Sequence, residues 1–224
     1  MKFAAFHEGR LLPKWTIPQS IGARIHKALE HYLRTEMPGA NDEIDQCFLK
    51  GMREGDSPIR KLPQKSIDYA KRAFKKLTRY ISETTNKVLA IEQRYRYLHK
   101  DDGQVEGVVD AVVERKDGAI VLKEWKTASK IESTMRRQYE LQARAGALGI
   151  AAQKSYSLQA VEIVPILSPD KAISFSVDAN FIDDSKKMLG QVFKDLYDRN
   201  YEPYRGNHCR ACQLKPQCPA WRRR

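Results

Sequence analysis

Long apolar stretches are missing from this sequence of 224 residues. No window approaches the roughly 18 consecutive apolar residues that a membrane-spanning helix requires. Residues 1–6 run directly into His7 and Glu8 without the apolar region of a secretory signal. We therefore expect a cytoplasmic protein with no membrane partner.

Cysteine is scarce, with only 4 residues at uneven spacing. A secreted disulfide framework is excluded by this pattern, so reduced thiols or metal ligands are expected. The sequence also has no internal repeat and no nucleotide-binding loop of the G-x-x-x-x-G-K-S/T kind. A helicase that acts with this chain would therefore be a separate partner.

Acidic residues are outnumbered, because 28 Asp and Glu stand against 40 Lys and Arg for a formal net charge of +12. Such a surface favours a polyanion, although a basic surface can also be simply solvated. Apolar residues make up 42% of the chain and charged residues 30%, which is typical of a globular protein. The length predicts one domain over residues 1–224.

The first third of the chain is predicted to be helical. Apolar residues in 23–33 recur at helical spacing after the segment 18–22, and a polar, acidic stretch continues to about Asp45. Residues 63–88 form a second helical pattern, with apolar residues four apart. We therefore assign residues 1–87 to a helical part.

The period changes after residue 88 and predicts an antiparallel meander. Residues 89–98 and 104–114 are strand-like on either side of an Asp-Gly turn, and a turn at 116–118 leads into a third strand at 119–126. A helix at 132–148, a buried strand at 155–167, an edge strand at 173–177 and a helix at 183–200 follow. This order predicts an α/β (α+β) fold in which helices cover a sheet, with a sheet core at 88–180 and a C-terminal part at 181–224 that carries a cysteine-bearing loop.

Three charged residues of the meander are candidates for catalysis. Side chains two apart on a strand share a face, so Glu124 and Lys126 point to one side, and a neighbouring strand brings Asp110 near them. Two carboxylates suit a hard divalent cation such as Mg²⁺ or Mn²⁺, which activates water for phosphodiester hydrolysis. Cross-strand ion pairs are the alternative, but Asp110 lies in a run of valines, where a lone charge is costly to bury.

Four motifs in order resemble the RecB-like nucleases of the PD-(D/E)XK superfamily. They are Gly22-Ala23-Arg24-Ile25-His26-Lys27-Ala28-Leu29-Glu30, Gly107-Val108-Val109-Asp110, Glu124-Trp125-Lys126-Thr127 and Tyr139-Glu140-Leu141-Gln142. The resemblance implies a restriction-endonuclease-like mixed sheet and a metal-dependent nuclease. The aromatic residue that commonly follows the family's glutamine by four positions is Gly146 here.

The resemblance also implies roles for the motif residues. Metal ligands would be His26, Asp110, Glu124 and the backbone carbonyl of Trp125. Lys126 would be catalytic, and Tyr139 and Gln142 would assist it. The remaining histidines have no such support, and we expect His7, His31 and His99 to be surface residues.

A cysteine triplet lies near the C-terminus, with the spacing C-x2-C-x5-C at Cys209, Cys212 and Cys218. Thiolate-rich sites select zinc or an iron–sulfur cluster. The triplet resembles that of the iron–sulfur members of the same family, including the CRISPR-adaptation exonucleases, which implies a 4Fe-4S cluster. Cys47 is the candidate fourth ligand. The alternatives are a zinc site completed by His208, free thiols, and Cys47 as a small buried side chain.

The leading functional hypothesis is a divalent-metal-dependent DNA exonuclease acting on single-stranded ends. The resemblance to this nuclease family implies a role in CRISPR adaptation, recombination or phage DNA processing. It also implies a helicase or an adaptation protein as a partner. The alternative is a noncatalytic DNA-binding or assembly module that keeps the basic surface and the metal-bearing tail.

Overall fold

The computed structural model describes residues 16–55, 57, 59–99, 103–128, 131, 133–153, 156–198, 200 and 218, with the side chains of residues 133–138 left out. The chain divides into a unit spanning Trp15–Gly190 and a second unit formed by Met1–Lys14 with Gln191–Arg224. The sheet and the candidate site belong to the first unit. The single domain expected over residues 1–224 stays a prediction.

Five α-helices are found in the described residues. They are α1 (Ile17–Arg34), α2 (Asn41–Glu54), α3 (Gln64–Thr84), α4 (Ser133–Ala152) and α5 (Ala179–Tyr197), with a short 3₁₀ helix at Pro169–Lys171. None of them combines the length and apolar character that crossing a bilayer requires. The helices predicted within 23–33, 63–88, 132–148 and 183–200 are confirmed.

The helix boundaries differ from the predicted ones where capping outweighs apolar spacing. Helix α1 begins six residues earlier than expected, because Thr16 and Gln19 form a capping box and Pro18 occupies the first turn. Helix α2 was missed as a polar stretch. Asp42 and Glu43 lie in its first turn, where acidic side chains oppose the helix dipole favourably.

The described residues form one five-stranded mixed sheet in the order β1-β2-β3-β4-β5. The strands are β1 (Thr85–Leu98), β2 (Gln104–Arg115), β3 (Ile120–Lys126), β4 (Ala160–Pro165) and β5 (Ile173–Ser176). Strands β3 and β4 are parallel, and the other neighbours are antiparallel. The predicted meander is confirmed, but β1 starts at Thr85, where a continuing helix was expected.

Each face of the sheet carries its own apolar core. The first core joins α1, α2 and α3 to one face, where Val121 and Trp125 of β3 contribute. The other face is covered by α4, whose Gly146 lies against Val109 and Leu122. Residues 121 to 125 therefore alternate between the two layers, as a strand buried on both faces requires.

The side chains of β1 and β2 change from one face of the sheet to the other at Glu92 and Asp110. Ala111 belongs to the first core, whereas Val109 packs on α4. Neighbours two apart on a regular strand share a face, so these contacts mark an irregularity at Asp110. The register pairs Ile91 with Ala111 and then Gln93 with Val109, which places Glu92 beside Asp110, and Glu92 has a left-handed φ of 50°.

Candidate active site

The candidate site lies where β2 and β3 separate. The last paired residues of these strands are Ala111 and Lys123. Beyond them, the Trp125 backbone N–H donates a hydrogen bond to the Asp110 carboxylate, with 2.7 Å between N and Oδ2. The Asp110 side chain thus replaces the backbone carbonyl that would accept this hydrogen bond in a regular strand pair. The separation leaves room for side chains from both strands at one place.

Glu124, Lys126 and Gln142 form a closed set of hydrogen bonds. Lys126 Nζ lies 2.8 Å from Glu124 Oε2 and 2.9 Å from Gln142 Oε1. The Gln142 amide nitrogen donates back to Glu124 Oε2 over 3.1 Å. Two residues of β3 and one of α4 are therefore held in a single arrangement.

His26 of α1 reaches the same site from the face of the sheet that carries the first core. Its Nδ1 atom lies 3.2 Å from Asp110 Oδ1, so the two Asp110 oxygens are bound by different elements of the fold. Helix α1 approaches closely here because residue 22 is glycine. A Cβ at Gly22 would lie 2.6 Å from Thr127 Oγ1, at the end of β3. The first and third motifs of the sequence therefore pack against each other.

Burial and nearby charges shift the pKa values of Asp110 and Glu124 in opposite directions. Burial, together with the nearby negative charge of Asp110, raises the pKa of Glu124 to about 7. Burial acts in the same direction on Asp110, but His26 and Lys126 outweigh it and lower the Asp110 pKa. Burial would lower the pKa of His26, yet Asp110 raises it overall. An ionised Asp110 beside a readily protonated Glu124 is the arrangement at neutral pH.

Tyr139 and Trp125 frame Lys126. The Lys126 ammonium lies 5.4 Å from the centre of the Tyr139 ring, a distance at which a cation and an aromatic face attract. The Trp125 side chain is buried in the first core, which fixes the strand between Glu124 and Lys126. The carbonyl of Trp125 as a metal ligand stays a prediction.

Glu92 is a neighbour of the site that the sequence did not indicate. It lies beside Asp110 in the register of β1 and β2. Burial and the charge of Asp110 raise the Glu92 pKa. Recognition from sequence would have required the strand register, since Glu92 lies in no motif and in a plain alternating segment.

Tyr95 lies in a slot that three glycines form. A Cβ at Gly149 would lie 2.1 Å from the Tyr95 ring, and one at Gly107 would lie 2.6 Å from its hydroxyl oxygen. A Cβ at Gly146 would meet Val109 at 2.9 Å and the Tyr95 ring at 3.8 Å. Burial, with the charge of Glu124, raises the Tyr95 pKa to about 12. The aromatic side chain missing at position 146 is thus matched by one from β1.

The donor set fits a hard divalent cation. Asp110 and Glu124 supply carboxylate oxygens, and their mutual repulsion in a buried place is what a bound cation relieves. Within the described part of the chain, no three His, Cys, Asp or Glu side chains are already grouped as a metal centre. The carboxylates instead accept hydrogen bonds from Trp125, Lys126 and Gln142. The ligand roles of His26, Asp110 and Glu124 stay predictions.

The cysteine prediction falls mainly outside the described residues, because Cys209, Cys212 and His208 are not among them. Cys47 is buried at 7% exposure in the first core, and its sulfur lies 3.6 Å from Thr35 Oγ1. Cys218 is partly buried. The environment of Cys47 is that of the small buried side chain considered as its alternative role.

Of the histidines expected at the surface, His99 is buried and His31 is partly exposed. His99 is 6% exposed, and its Nε2 atom lies 3.1 Å from the Lys186 carbonyl oxygen. The His31 side chain is 13% exposed, with Nε2 2.7 Å from Glu54 Oε2. The prediction was wrong for His99, because α5 supplies a partner that apolar spacing did not indicate, whereas His31 is partly exposed and bonded to the end of α2. His7 lies outside the described residues.

Comparison with solved structures identifies the fold. The crystal structure of a presumed exonuclease from Eubacterium rectale aligns with 94% of this chain and 77% of its own, at 11% identity and a TM-score of 0.53. The protein SSO0001 aligns with 98% of this chain and 94% of its own, at 11% identity and a TM-score of 0.43, too low for a structural inference. The mixed sheet flanked by helices is consistent with the restriction-endonuclease-like fold.

Comparison of sequences identifies the family. No curated protein matches this chain significantly. The sequence profile of the PD-(D/E)XK nuclease superfamily matches residues 2–219, nearly the whole length. That span includes Asp110, Glu124 and Lys126. It also includes the neighbouring strands β2 and β3, which bring these three residues together. The chain belongs to the PD-(D/E)XK nuclease superfamily.

Proposed function

We propose that this chain is a divalent-metal-dependent deoxyribonuclease, with Asp110, Glu124 and Lys126 as its catalytic residues. The observation that carries the proposal is the cluster in which Lys126 binds both the buried Glu124 and Gln142 beside the Asp110 carboxylate. A lysine fixed among carboxylates is suited to phosphate chemistry, because it neutralises negative charge on the oxygens of the reacting phosphate.

The residues of this chain have separable tasks in hydrolysis. The Lys126 ammonium has three N–H donors, and Glu124 and Gln142 accept two of them. The third can donate to a phosphate oxygen or to the attacking water. The Asp110 and Glu124 carboxylates would hold Mg²⁺ or Mn²⁺, with His26 and the Trp125 carbonyl as further ligands. Such an ion lowers the pKa of bound water and stabilises charge on the phosphate.

DNA is the proposed substrate, and single-stranded ends the proposed form. The family relationship and the net charge of +12 support a nucleic acid. The preference for single-stranded ends and a role in CRISPR adaptation, recombination or phage DNA processing follow from the resemblance of the cysteine triplet. A helicase or adaptation protein is the partner that this resemblance implies.

Cutting assays test the proposal directly. Labelled linear single-stranded, linear double-stranded and circular single-stranded DNA are incubated with Mg²⁺ or Mn²⁺ and the parent protein. We expect release of short products from linear single strands, and none without metal. Survival of the circular substrate would identify an exonuclease.

Matched variants separate catalysis from folding. We expect Asp110→Asn and Lys126→Gln to lose at least about a hundredfold in cutting rate, a loss typical of removed charge stabilisation. Asp45→Asn and Lys71→Gln make the same chemical changes at an ion pair of 2.8 Å between α2 and α3, and they should cut normally. Undiminished cutting by the first pair would contradict the assignment. Binding of DNA without any cutting by the parent protein would favour the noncatalytic module.

The cysteine tail is proposed to hold a 4Fe-4S cluster through Cys209, Cys212 and Cys218, without Cys47, the fourth ligand that the sequence suggested, because that thiol is packed in the first core. The spacing and the family resemblance support this proposal. Anaerobic purification tests it through a brown colour and stoichiometric iron and sulfide. Stoichiometric zinc would favour the alternative that His208 completes, and absence of metal would favour free thiols.

A further inference from the structure

The outer half of the β1–β2 hairpin has one uncovered face that starts beside Asp110. We define this outer hairpin face by three cross-strand pairs: Arg94 with Val108, Arg96 with Glu106, and Leu98 with Gln104. All six residues are exposed. The residues between them, such as Tyr95 and Val109, are buried on the side of α4. The face is therefore a strip of solvent-accessible side chains.

This strip is continuous with the candidate site. Val108 precedes Asp110 by two residues, a distance of about 7 Å along a strand. The Arg94–Val108 pair is thus the next exposed pair after Glu92 and Asp110. A polymer held by its reacting group at Asp110 and Glu124 can therefore continue along these exposed side chains.

Arg94 is the cation of the strip that remains available to a ligand. Arg96 is neutralised by Glu106, since the two side chains lie 2.7 Å apart. Among the residues that the structure describes, no acidic side chain lies within ion-pair distance of the Arg94 guanidinium. Beside it, Val108 is 41% exposed, which offers an apolar contact next to the charge.

A groove of about 450 Å³ joins these features. Its lining includes Arg94, Arg96, Gly107 and Val108. Glu106 and Gln153 complete the lining on either side of these residues, with the Tyr95 ring beneath Gly107. A guanidinium next to an apolar side chain matches one nucleotide of a DNA strand, with its phosphate on Arg94 and its sugar or base on Val108.

We propose that the outer hairpin face binds the part of a single DNA strand that continues beyond the scissile phosphate, with Arg94 as a phosphate ligand. The occupant is a single strand because a strip two β-strands wide, with about 5 Å between the strands, follows one sugar–phosphate chain. This inference rests on the proposed function, since it takes Asp110 and Glu124 as the cutting point.

Binding measurements without metal test the inference apart from catalysis. The probe is a fluorescein-labelled oligothymidylate of about twelve nucleotides, a length within the range of single-strand sites. With EDTA present, we expect Arg94→Gln to bind it roughly tenfold more weakly, and the dependence of log affinity on log salt concentration to become shallower by about 0.7 to 1. Arg94→Lys should retain part of the affinity.

Two further variants make the outcome specific to this face. Arg79→Gln removes an exposed arginine of α3 that lines a different groove with Pro38 and Asn41, and it should bind like the parent protein. Glu106→Gln releases Arg96 from its ion pair, so we expect roughly twofold to threefold tighter binding. A gain of affinity is not expected from a variant that merely damages the fold.

The possible failures are distinguishable. Equal affinities of Arg94→Gln and the parent protein would overturn the inference, even if the parent protein cuts DNA as proposed. A loss confined to Arg79→Gln would also overturn it by moving the polyanion to α3. If the parent protein cuts nothing while Arg94→Gln still weakens binding, the strand-binding face stands and the proposed catalysis fails.

Discussion

The Trp125 backbone N–H and the Asp110 carboxylate are joined by a 2.7 Å hydrogen bond just beyond Ala111 and Lys123, the last paired residues of β2 and β3. The bond fixes the carboxylate to the main chain between Glu124 and Lys126. Any shift of β3 relative to β2 therefore moves Asp110 as well. The spacing of the candidate catalytic groups is a property of the strand pair and not of side-chain rotamers alone.

Asp110→Asn should lower the pKa of Glu124 below about 7. Burial raises that pKa most, and the Asp110 charge adds to it, so removal of the charge leaves burial opposed by Lys126 and His26, which lower the pKa. Carbon-detected NMR titration of the Glu124 carboxyl in metal-free protein measures the change. The asparagine side-chain oxygen can still accept from Trp125, which keeps the strands in place. An unchanged Glu124 pKa would show that the two carboxylates are not coupled.

Gln142→Leu should slow cutting roughly tenfold to a hundredfold, with little effect on KM. The amide accepts from Lys126 and donates to Glu124, so leucine leaves both groups without one partner. Single-turnover rates over a range of DNA concentrations separate the two parameters. Gln46→Leu on α2 is a matched change at an exposed position and should behave like the parent protein. A change confined to KM would contradict a role in positioning Lys126.

Gly149→Ala should destabilise the protein by about 1 to 3 kcal/mol, the usual cost of forcing a methyl group into a filled core. At an exposed helix position the same change would stabilise the protein by up to about 1 kcal/mol. A loss of stability would therefore show that the space beside Gly149 is filled by Tyr95. The new Cβ would lie 2.1 Å from the Tyr95 ring. Urea unfolding measures the difference. Gly39→Ala is the control, because a Cβ there meets nothing within 4 Å.

Stability should fall as pH rises between about 10 and 12, because the pKa of Tyr95 is raised to about 12 by burial and by Glu124. A raised pKa means that the folded protein holds its proton longer than the unfolded chain. The contribution is complete below the unfolded pKa and is lost as pH approaches the folded one. Tyr95→Phe should flatten this fall by on the order of 2 kcal/mol in urea unfolding at high pH. An equally steep fall would place the alkaline sensitivity elsewhere, with Tyr80 as the next candidate.

Cys47→Ala should leave the metal content of the tail unchanged and cost about 1 kcal/mol of stability. The thiol is packed at 7% exposure in the first core, where a small apolar side chain suffices. Iron and sulfide analysis with urea unfolding checks both parts. Loss of colour in this variant would instead identify Cys47 as the fourth ligand.

The sequence sufficed for residues whose relations are local or carried by a motif. Glu124 and Lys126 are two apart on one strand, and their hydrogen bond follows from strand geometry. Gln142 could be placed only through the family motif, since 16 residues separate it from Lys126. Helix α2 escaped because three buried residues, Cys47, Phe48 and Gly51, are too few to give a clear period.

Glu92 and Tyr95 escaped for another physical reason. Two register shifts, between Thr85 and Lys87 and between Val88 and Ala90, precede them in β1. Counting from the start of the strand therefore gives no cross-strand partner for either residue. The meaning of Gly146 was hidden for the same reason, because its partner Tyr95 lies 51 positions away in the chain.

The exchange of layers at Glu92 and Asp110 has a thermodynamic consequence. Val109 and Ala111 anchor the two sides of Asp110 in different cores, so loosening either core releases one end of this segment. The amides around Asp110 should therefore exchange hydrogen at the rate of whichever layer opens more readily. The geometry of the candidate catalytic residues therefore depends on the less stable of the two cores. Loss of activity on heating should precede complete unfolding.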